Sequence, residues 1–202
     1  LEESHAVLDE IEKYQVRMKK IWEVFADEGR TTTAANQLPQ VEAKCFSLQN
    51  GWDFRQVMMQ KRFLRKVRKE RPDEILMAPP CKLWSPMQQI NIAQHGEWYL
   101  KKLTEDRMRD EEDFLKFCRQ VYDTQRVEYR HAHIEQPRDP LSWSCRSWQA
   151  MKGYDATLDQ CSFGRKAYDA QGEPIGPARK PTRIRTTKKS LALGIARKCV
   201  CR

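Results

Sequence analysis

The sequence predicts a doubly wound α/β domain built on a mostly parallel sheet. Short apolar runs alternate with longer stretches of helical periodicity, which is the pattern of βαβ units. Turn-forming groups separate them: Asp27-Glu28-Gly29, Asn50-Gly51 and Arg71-Pro72-Asp73. No internal repeat competes with this reading.

Taken in order, residues 2–20 carry Val7, Leu8, Ile11, Tyr14 and Met18 at helical spacing, so residues 1–20 read as an amphipathic helix or linker ahead of a domain over 21–202. Ile21 to Phe25 is a short apolar strand that enters a turn. Residues 31–38 read as a short helix closed by Pro39, and Val41 to Leu48 as a second strand ending at Asn50-Gly51. Phe54 to Lys69 is a basic helix with Val57, Phe63, Leu64 and Val67 on one face. Glu74 to Ala78 is a third strand stopped by Pro79-Pro80. A long helix spans about 98–126, with Asp110-Glu111-Glu112-Asp113 read as a solvated face. His131 to Glu135 is a fourth strand with its histidines packing on a sheet face, 142–152 a helix, and 156–161 a fifth strand. Residues 165–181 read as a loop, 182–187 as a basic strand and 189–198 as a last helix.

Composition narrows the class. The chain has 202 residues, 40% hydrophobic and 32% charged, enough for one globular core with a heavily solvated surface. No run approaches the roughly 18 apolar residues of a membrane-spanning helix. The first residue is Leu1, with no basic-then-apolar leader pattern, consistent with a piece of a longer polypeptide. Seven cysteines spread along the whole length fit reduced thiols better than a disulfide scaffold, which places the protein in a reducing compartment, nuclear or cytoplasmic. Cys199-Val200-Cys201 could join Cys161 or a histidine on zinc, but Cys-x-Cys is tighter than the usual ribbon spacing, so no metal site is assigned. The net charge is +9, and residues 165–202 hold 11 Lys and Arg against only Asp169 and Glu173, so that segment carries the whole surplus. Such a patch either engages a polyanion, most simply nucleic acid, or is a solubilising or disordered basic tail.

In a parallel sheet ligands bind at the carboxyl ends of the strands. Cys81 and Glu135 both fall just past or at predicted strand ends, which the topology brings to one edge. A thiolate and a carboxyl group are the kit for activating cytosine: the thiolate adds to ring carbon 6 while the carboxyl supports ring nitrogen 3, making carbon 5 nucleophilic. The base must first leave its stack.

Ala78-Pro79-Pro80-Cys81 with Trp84-Ser85, and Glu135-Gln136-Pro137 after His131 to Ile134, resemble the catalytic motifs of DNA (cytosine-5) methyltransferases. The chain is most similar to compact, divergent forms in phage and retroelement polyproteins, through Gly51-Trp52-Asp53, Cys161-Ser162-Phe163-Gly164 and Lys180-Pro181-Thr182. The resemblance covers about residues 21–202. It implies a Rossmann-like fold of the S-adenosylmethionine (SAM)-dependent methyltransferase type, SAM as methyl donor and DNA as partner. It implies Cys81 as nucleophile and Glu135 as carboxyl partner, with Trp22, Phe25, Gly29, Asp53 and Pro79 at the donor pocket. It further implies that Trp84, Ser85, Lys180, Arg183 and Arg185 contact nucleic acid, and that residues 82–91 form a mobile loop over the flipped base. The sequence departs from the family in keeping one glycine after the first strand, in lacking an acidic residue directly after the second, and in having Gln136 where Asn is usual. No separate target-recognition domain fits this length. The alternative is a catalytically inactive methyltransferase-like module of a retroelement polyprotein that binds nucleic acid or protein. A third reading, a basic binding domain of unrelated ancestry, requires Cys81 and Glu135 to lie far apart.

Overall fold

The computed structural model describes residues 17–200. The strands are β1 (Lys19–Val24), β2 (Val41–Phe46), β3 (Glu74–Met77), β4 (His131–Pro137), β5 (Tyr154–Asp159), β6 (Lys166–Tyr168), β7 (Pro174–Pro177) and β8 (Pro181–Thr186). Six of them form one sheet in the order β2-β1-β3-β4-β8-β5, and β6 and β7 form a separate hairpin. β1 runs parallel to β2 and β3, and β3 parallel to β4; β8 is antiparallel to both β4 and β5. The helices are α1 (Arg30–Ala35), α2 (Val57–Glu70), α3 (Gln88–His95), α4 (Glu97–Asp110), α5 (Lys116–Val127), α6 (Arg146–Gln149) and α7 (Lys189–Ile195). This is the doubly wound, mostly parallel, Rossmann-like sheet that the alternation of elements predicts.

The period of two along the strands decides the layers. Trp22, Val24, Phe46, Ile75, Met77, Ala132 and Ile134 are buried, and their register puts them on one face. That face is covered by Phe63 and Val67 of α2 and by Phe117, Cys118, Val121 and Tyr122 of α5, which complete the core. The alternate positions, Glu23, Cys45, His133 and Glu135, point to the opposite face, where α1 packs on β1 and β2, and α7 on β5 and β8. Its central histidine is held by polar partners: the ring nitrogens of His133 lie 2.7 Å from Thr186 Oγ1 and 3.1 Å from Glu74 Oε2.

Several elements differ from the sequence expectation for physical reasons. Lys19 and Lys20 belong to β1, because they pair with Val41 and Glu42 of β2, so the domain begins earlier than residue 21. The amphipathic helix expected over 2–20 otherwise lies outside the described residues. The long helix is interrupted by a π-helical turn at Glu111–Leu115. Such a turn loosens the regular ladder, and side chains take up its carbonyls: Trp148 Nε1 donates to Leu115 O (2.9 Å) and Gln60 Nε2 to Asp113 O (2.7 Å). The helix expected over 142–152 is a 3₁₀ turn at Leu141–Ser144 followed by the short α6, with Cys145 extended between them. The two indoles there, Trp143 and Trp148, are buried and anchored to carbonyls of β4 and of the π-turn. The loop expected over 165–181 contains the β6–β7 hairpin, whose bend is closed by Asp169 Oδ1 accepting the N–H groups of Gln171 and Glu173.

Gly153, at the entry to β5, makes the sheet edge specific. A Cβ there would stand 2.1 Å from the Tyr122 hydroxyl and 2.7 Å from the Thr186 carbonyl oxygen. Tyr122 is fully buried and donates to Lys152 O, so it has little room to retreat. Gly153→Ala is expected to cost about 1–3 kcal/mol by overpacking, read as a lower urea midpoint; an unchanged midpoint would show that β5 shifts freely.

Candidate active site

β3 ends where Pro79 and Pro80 remove the N–H groups needed to continue a ladder. Ala78 makes the last strand-like contact, its N–H donating to Val24 O (3.1 Å). The chain then leaves the sheet at the carboxyl edge, held by Gln136 of β4: its Nε2 donates to Pro79 O at 2.6 Å, and the side chain is buried. Gln136, standing where the resembling family has Asn, thus fastens the β3 exit to the end of β4. Pro79 itself is buried under this clamp.

Glu135 precedes Gln136 and therefore points to the other face of the sheet. Cys81, half-buried at the β3 exit, lies within the electrostatic reach of both Glu135 and Lys180. Burial pushes the Cys81 thiol above its ordinary range, Lys180 pulls it back, and Glu135 adds to the rise. Lys180 Nζ stands 3.5 Å from Glu135 Oε1, an ion-pair distance without hydrogen-bond geometry. That carboxylate oxygen is buried and has no hydrogen-bond partner among the described residues. Thiol, carboxyl and ammonium thus lie within electrostatic reach of one another at one edge of the sheet.

The sign of the Lys180 effect gives a test. An ammonium favours the thiolate, so Lys180→Gln should move Cys81 alkylation to higher pH and slow it at pH 7. Iodoacetamide labelling across a pH series, followed by peptide mapping of Cys81, reads this; a profile shifted downward would place Lys180 elsewhere.

The segment after Cys81 is anchored. Lys82–Trp84 form a 3₁₀ turn and Gln88 begins α3, in place of the mobile loop expected over 82–91. Trp84 is buried, and its indole N–H donates to Asp110 Oδ2 at 2.5 Å. Arg107 Nε donates to Leu83 O and Gln88 Nε2 to Lys82 O, both at 2.9 Å. Asp110, expected on a solvated face, is therefore buried, and burial raises its carboxyl above the usual range. Ser85, partly exposed, accepts the N–H of Met87 at 3.2 Å.

On the core face of the same edge lies a cleft of about 500 Å³ between the ends of β1, β2 and β3. Phe25, Trp52, Phe54 and Phe114 give it aromatic walls; Asp27, Asp53 and Arg55 supply charge; Ala78 and Pro80 close it toward Cys81. Phe25 has φ 69°, a strained backbone for a bulky residue and one that persists where the surroundings fix it. Its ring packs against Phe54 (5.1 Å) and edge-on to Phe114 (5.6 Å). The Arg55 guanidinium holds the Asp53 carboxyl down at about 2.

Of the residues expected at the donor pocket, Phe25 and Asp53 line this cleft. Trp22 is buried in the core against Phe46 and Phe63. Gly29, at φ 54°, begins α1 with its Cα facing Cys45, where a Cβ would meet Sγ at 3.4 Å. The first turn of α1 is capped from within, because the buried Glu23 carboxylate accepts from Thr32 N (2.7 Å) and Thr32 Oγ1 (2.8 Å). Asp27 and Phe54 flank motifs noted in the sequence, whereas Phe114 arrives from a distant helix and left no local signal.

The two arginines of β8 are engaged within the protein. Both bind Asp155, Arg185 in bidentate fashion at 2.7 Å on each branch, and Arg183 stacks 4.6 Å from the Trp143 ring centroid. Arg185 also donates to the carbonyls of Trp148 and Met151. Among the described residues no cluster of three or more His, Cys, Asp or Glu is arranged to hold a metal ion, and no helix is long and apolar enough to cross a membrane.

The fold is a doubly wound α/β domain with Cys81 and Glu135 toward the carboxyl edge of its parallel strands. No protein-family model and no curated protein matches the chain. Among solved structures it is similar to a release factor-specific protein-(glutamine-N5) methyltransferase from Alicyclobacillus acidocaldarius subsp. acidocaldarius DSM 446, at 14% identity and a TM-score of 0.37, over 86% of this chain and 83% of that one. A likeness that loose carries no argument beside the chain's own strand order.

Proposed function

We propose that this chain is a SAM-dependent methyltransferase domain that methylates carbon 5 of cytosine in DNA, with Cys81 as nucleophile and Glu135 as its carboxyl partner. The observation that carries the reading is the buried Glu135 carboxylate, ion-paired with Lys180 and within electrostatic reach of the Cys81 thiol, one residue from the Pro80 that closes the aromatic cleft. The cleft fits the donor in kind: aromatic walls suit adenine, the carboxylates of Asp27 and Asp53 suit hydroxyl or ammonium groups, and Arg55 suits a carboxylate. When bound, SAM supplies an electrophilic methyl group.

The chain's own residues do the rest. Cys81, once deprotonated, bonds to ring carbon 6. Glu135 presents a proton and hydrogen bond to ring nitrogen 3, so the electron pair displaced by the thiolate collects at carbon 5. Once carbon 5 carries the methyl group, its proton passes to water as the Cys81 thiolate departs, and nitrogen 3 returns its proton to Glu135, which restores the ring. Lys180 favours the thiolate before attack and again as it leaves. The partner is nucleic acid.

A second reading is the catalytically inactive module. It is favoured by the turn after β1, where Glu23 caps α1 and Gly29 faces Cys45 instead of the cleft. Calorimetric titration with SAM and S-adenosylhomocysteine separates the two. Saturable one-to-one binding, weakened about tenfold by Trp52→Ala through loss of an aromatic wall, supports the enzyme. A folded domain that takes up neither ligand supports the inactive module.

A further inference from the structure

The excess positive charge is unevenly available. Arg183 and Arg185 are tied to Asp155, Lys180 to Glu135, Lys188 to Glu74 and Arg179 to Asp159. The cations at the base of the β6–β7 hairpin are differently placed. Arg165 and Lys166 are exposed and line an open cleft of about 540 Å³ together with Arg30 of α1, Gln160, Phe163 and Tyr168. No carboxylate lines this cleft; Glu28 pairs with Arg30 from outside it, and Arg165 Nη1 donates to Gln160 Oε1 at 2.9 Å.

Two aromatic rings stand among these cations. Phe163 is 49% and Tyr168 61% exposed, far more than packing alone requires. The Arg197 guanidinium lies 5.1 Å from the Phe163 centroid, adding positive charge at that ring. Gln160 connects the cleft to the candidate active site: its N–H donates to Lys180 O at 3.1 Å and its Nε2 to Thr182 Oγ1 at 3.0 Å. Lys180 is the residue that faces Glu135 and Cys81.

We infer that this hairpin cleft is a binding site for single-stranded nucleic acid, engaging the strand that flanks the base presented to Cys81. The inference deepens the nucleic-acid part of the proposed function and rests on it. Cations set beside exposed rings are what an unpaired strand requires: the cations take phosphates, and the rings take base faces that a duplex keeps stacked. The paired arginines of β8 serve as braces for the sheet edge, and the phosphate contacts fall to Arg165 and Lys166.

Fluorescence anisotropy with a labelled oligothymidylate and with a duplex of equal length tests this, on the full chain over a salt series. The unmodified protein should bind the single strand more tightly than the duplex. Tyr168→Ala should weaken single-strand binding roughly tenfold, because a base loses its stacking platform. Arg165→Gln/Lys166→Gln should flatten the slope of log affinity against log salt by about 1.4, at about 0.7 for each phosphate that the variant no longer neutralises. Unaltered binding and slope in the hairpin variants, with the protein still bound to nucleic acid, would overturn the cleft assignment alone and leave the proposed function standing. Tighter binding of the duplex with the same hairpin sensitivity would overturn the single-strand assignment. Absence of binding to either oligonucleotide at low salt would remove the nucleic-acid reading together with the cleft.

Discussion

Replacing Cys81 by alanine is expected to lower methyl transfer to cytosine by at least about a thousandfold, the scale on which a covalent nucleophile acts. The fold should survive, since Cys81 sits at the strand exit and is only half-buried, while the exit is held by Gln136 and the following turn by Trp84, Arg107 and Gln88. SAM should still bind, because Ala78 and Pro80 close the cleft and Cys81 does not line it. Transfer of labelled methyl from SAM to a cytosine-containing oligonucleotide, measured beside a SAM titration of the same preparation, reads both halves. Undiminished transfer in the alanine variant would end the assignment of Cys81.

Trp22→Ala should produce the largest loss of stability. The indole is 1% exposed, with ring centroids 4.7 Å from Phe46 and 5.6 Å from Phe63, so it ties β1 to β2 and to α2. Removing it leaves a cavity that α2 can close only by leaving the sheet, at a cost of about 3–5 kcal/mol out of a total stability of roughly 5–15 kcal/mol. Urea denaturation followed by tryptophan fluorescence and circular dichroism gives the value. A loss below about 1 kcal/mol would mean that the indole is not a core element and would reopen its expected place at the donor pocket.

The sheet was legible because its strands are short apolar runs stopped by turn residues, and because their alternation matches one apolar and one polar face. The order of β8 between β4 and β5 was not, since antiparallel insertion of a late strand depends on pairings such as Glu135 with Ile184 that no local pattern encodes. The mobile loop expected over residues 82–91 comes from the family resemblance alone. Trp84 instead finds a buried carboxylate on α4, a partner 26 residues away that is itself taken out of solvent, Asp110. At the site, the prolines after β3 and the Glu135-Gln136 step located the two strand ends that meet. Lys180 stands out in the Lys180-Pro181-Thr182 motif as a nucleic-acid contact, and only the fold brings it to Glu135. The aromatic cleft was half visible: Phe25 and Asp53 lie in motifs, while Phe114 reaches it through the π-turn of a helix whose sequence pattern gives no sign of the turn.

The most direct test of the account uses an oligonucleotide carrying 5-fluorocytosine, with SAM present. The final step of the proposed chemistry removes the substituent at carbon 5 as a proton, which fluorine cannot supply, so the bond from Cys81 to carbon 6 should persist. The account predicts a SAM-dependent covalent complex whose cross-linked peptide contains Cys81 and which Cys81→Ala abolishes. A folded protein that binds both SAM and the oligonucleotide yet forms no such complex would contradict it.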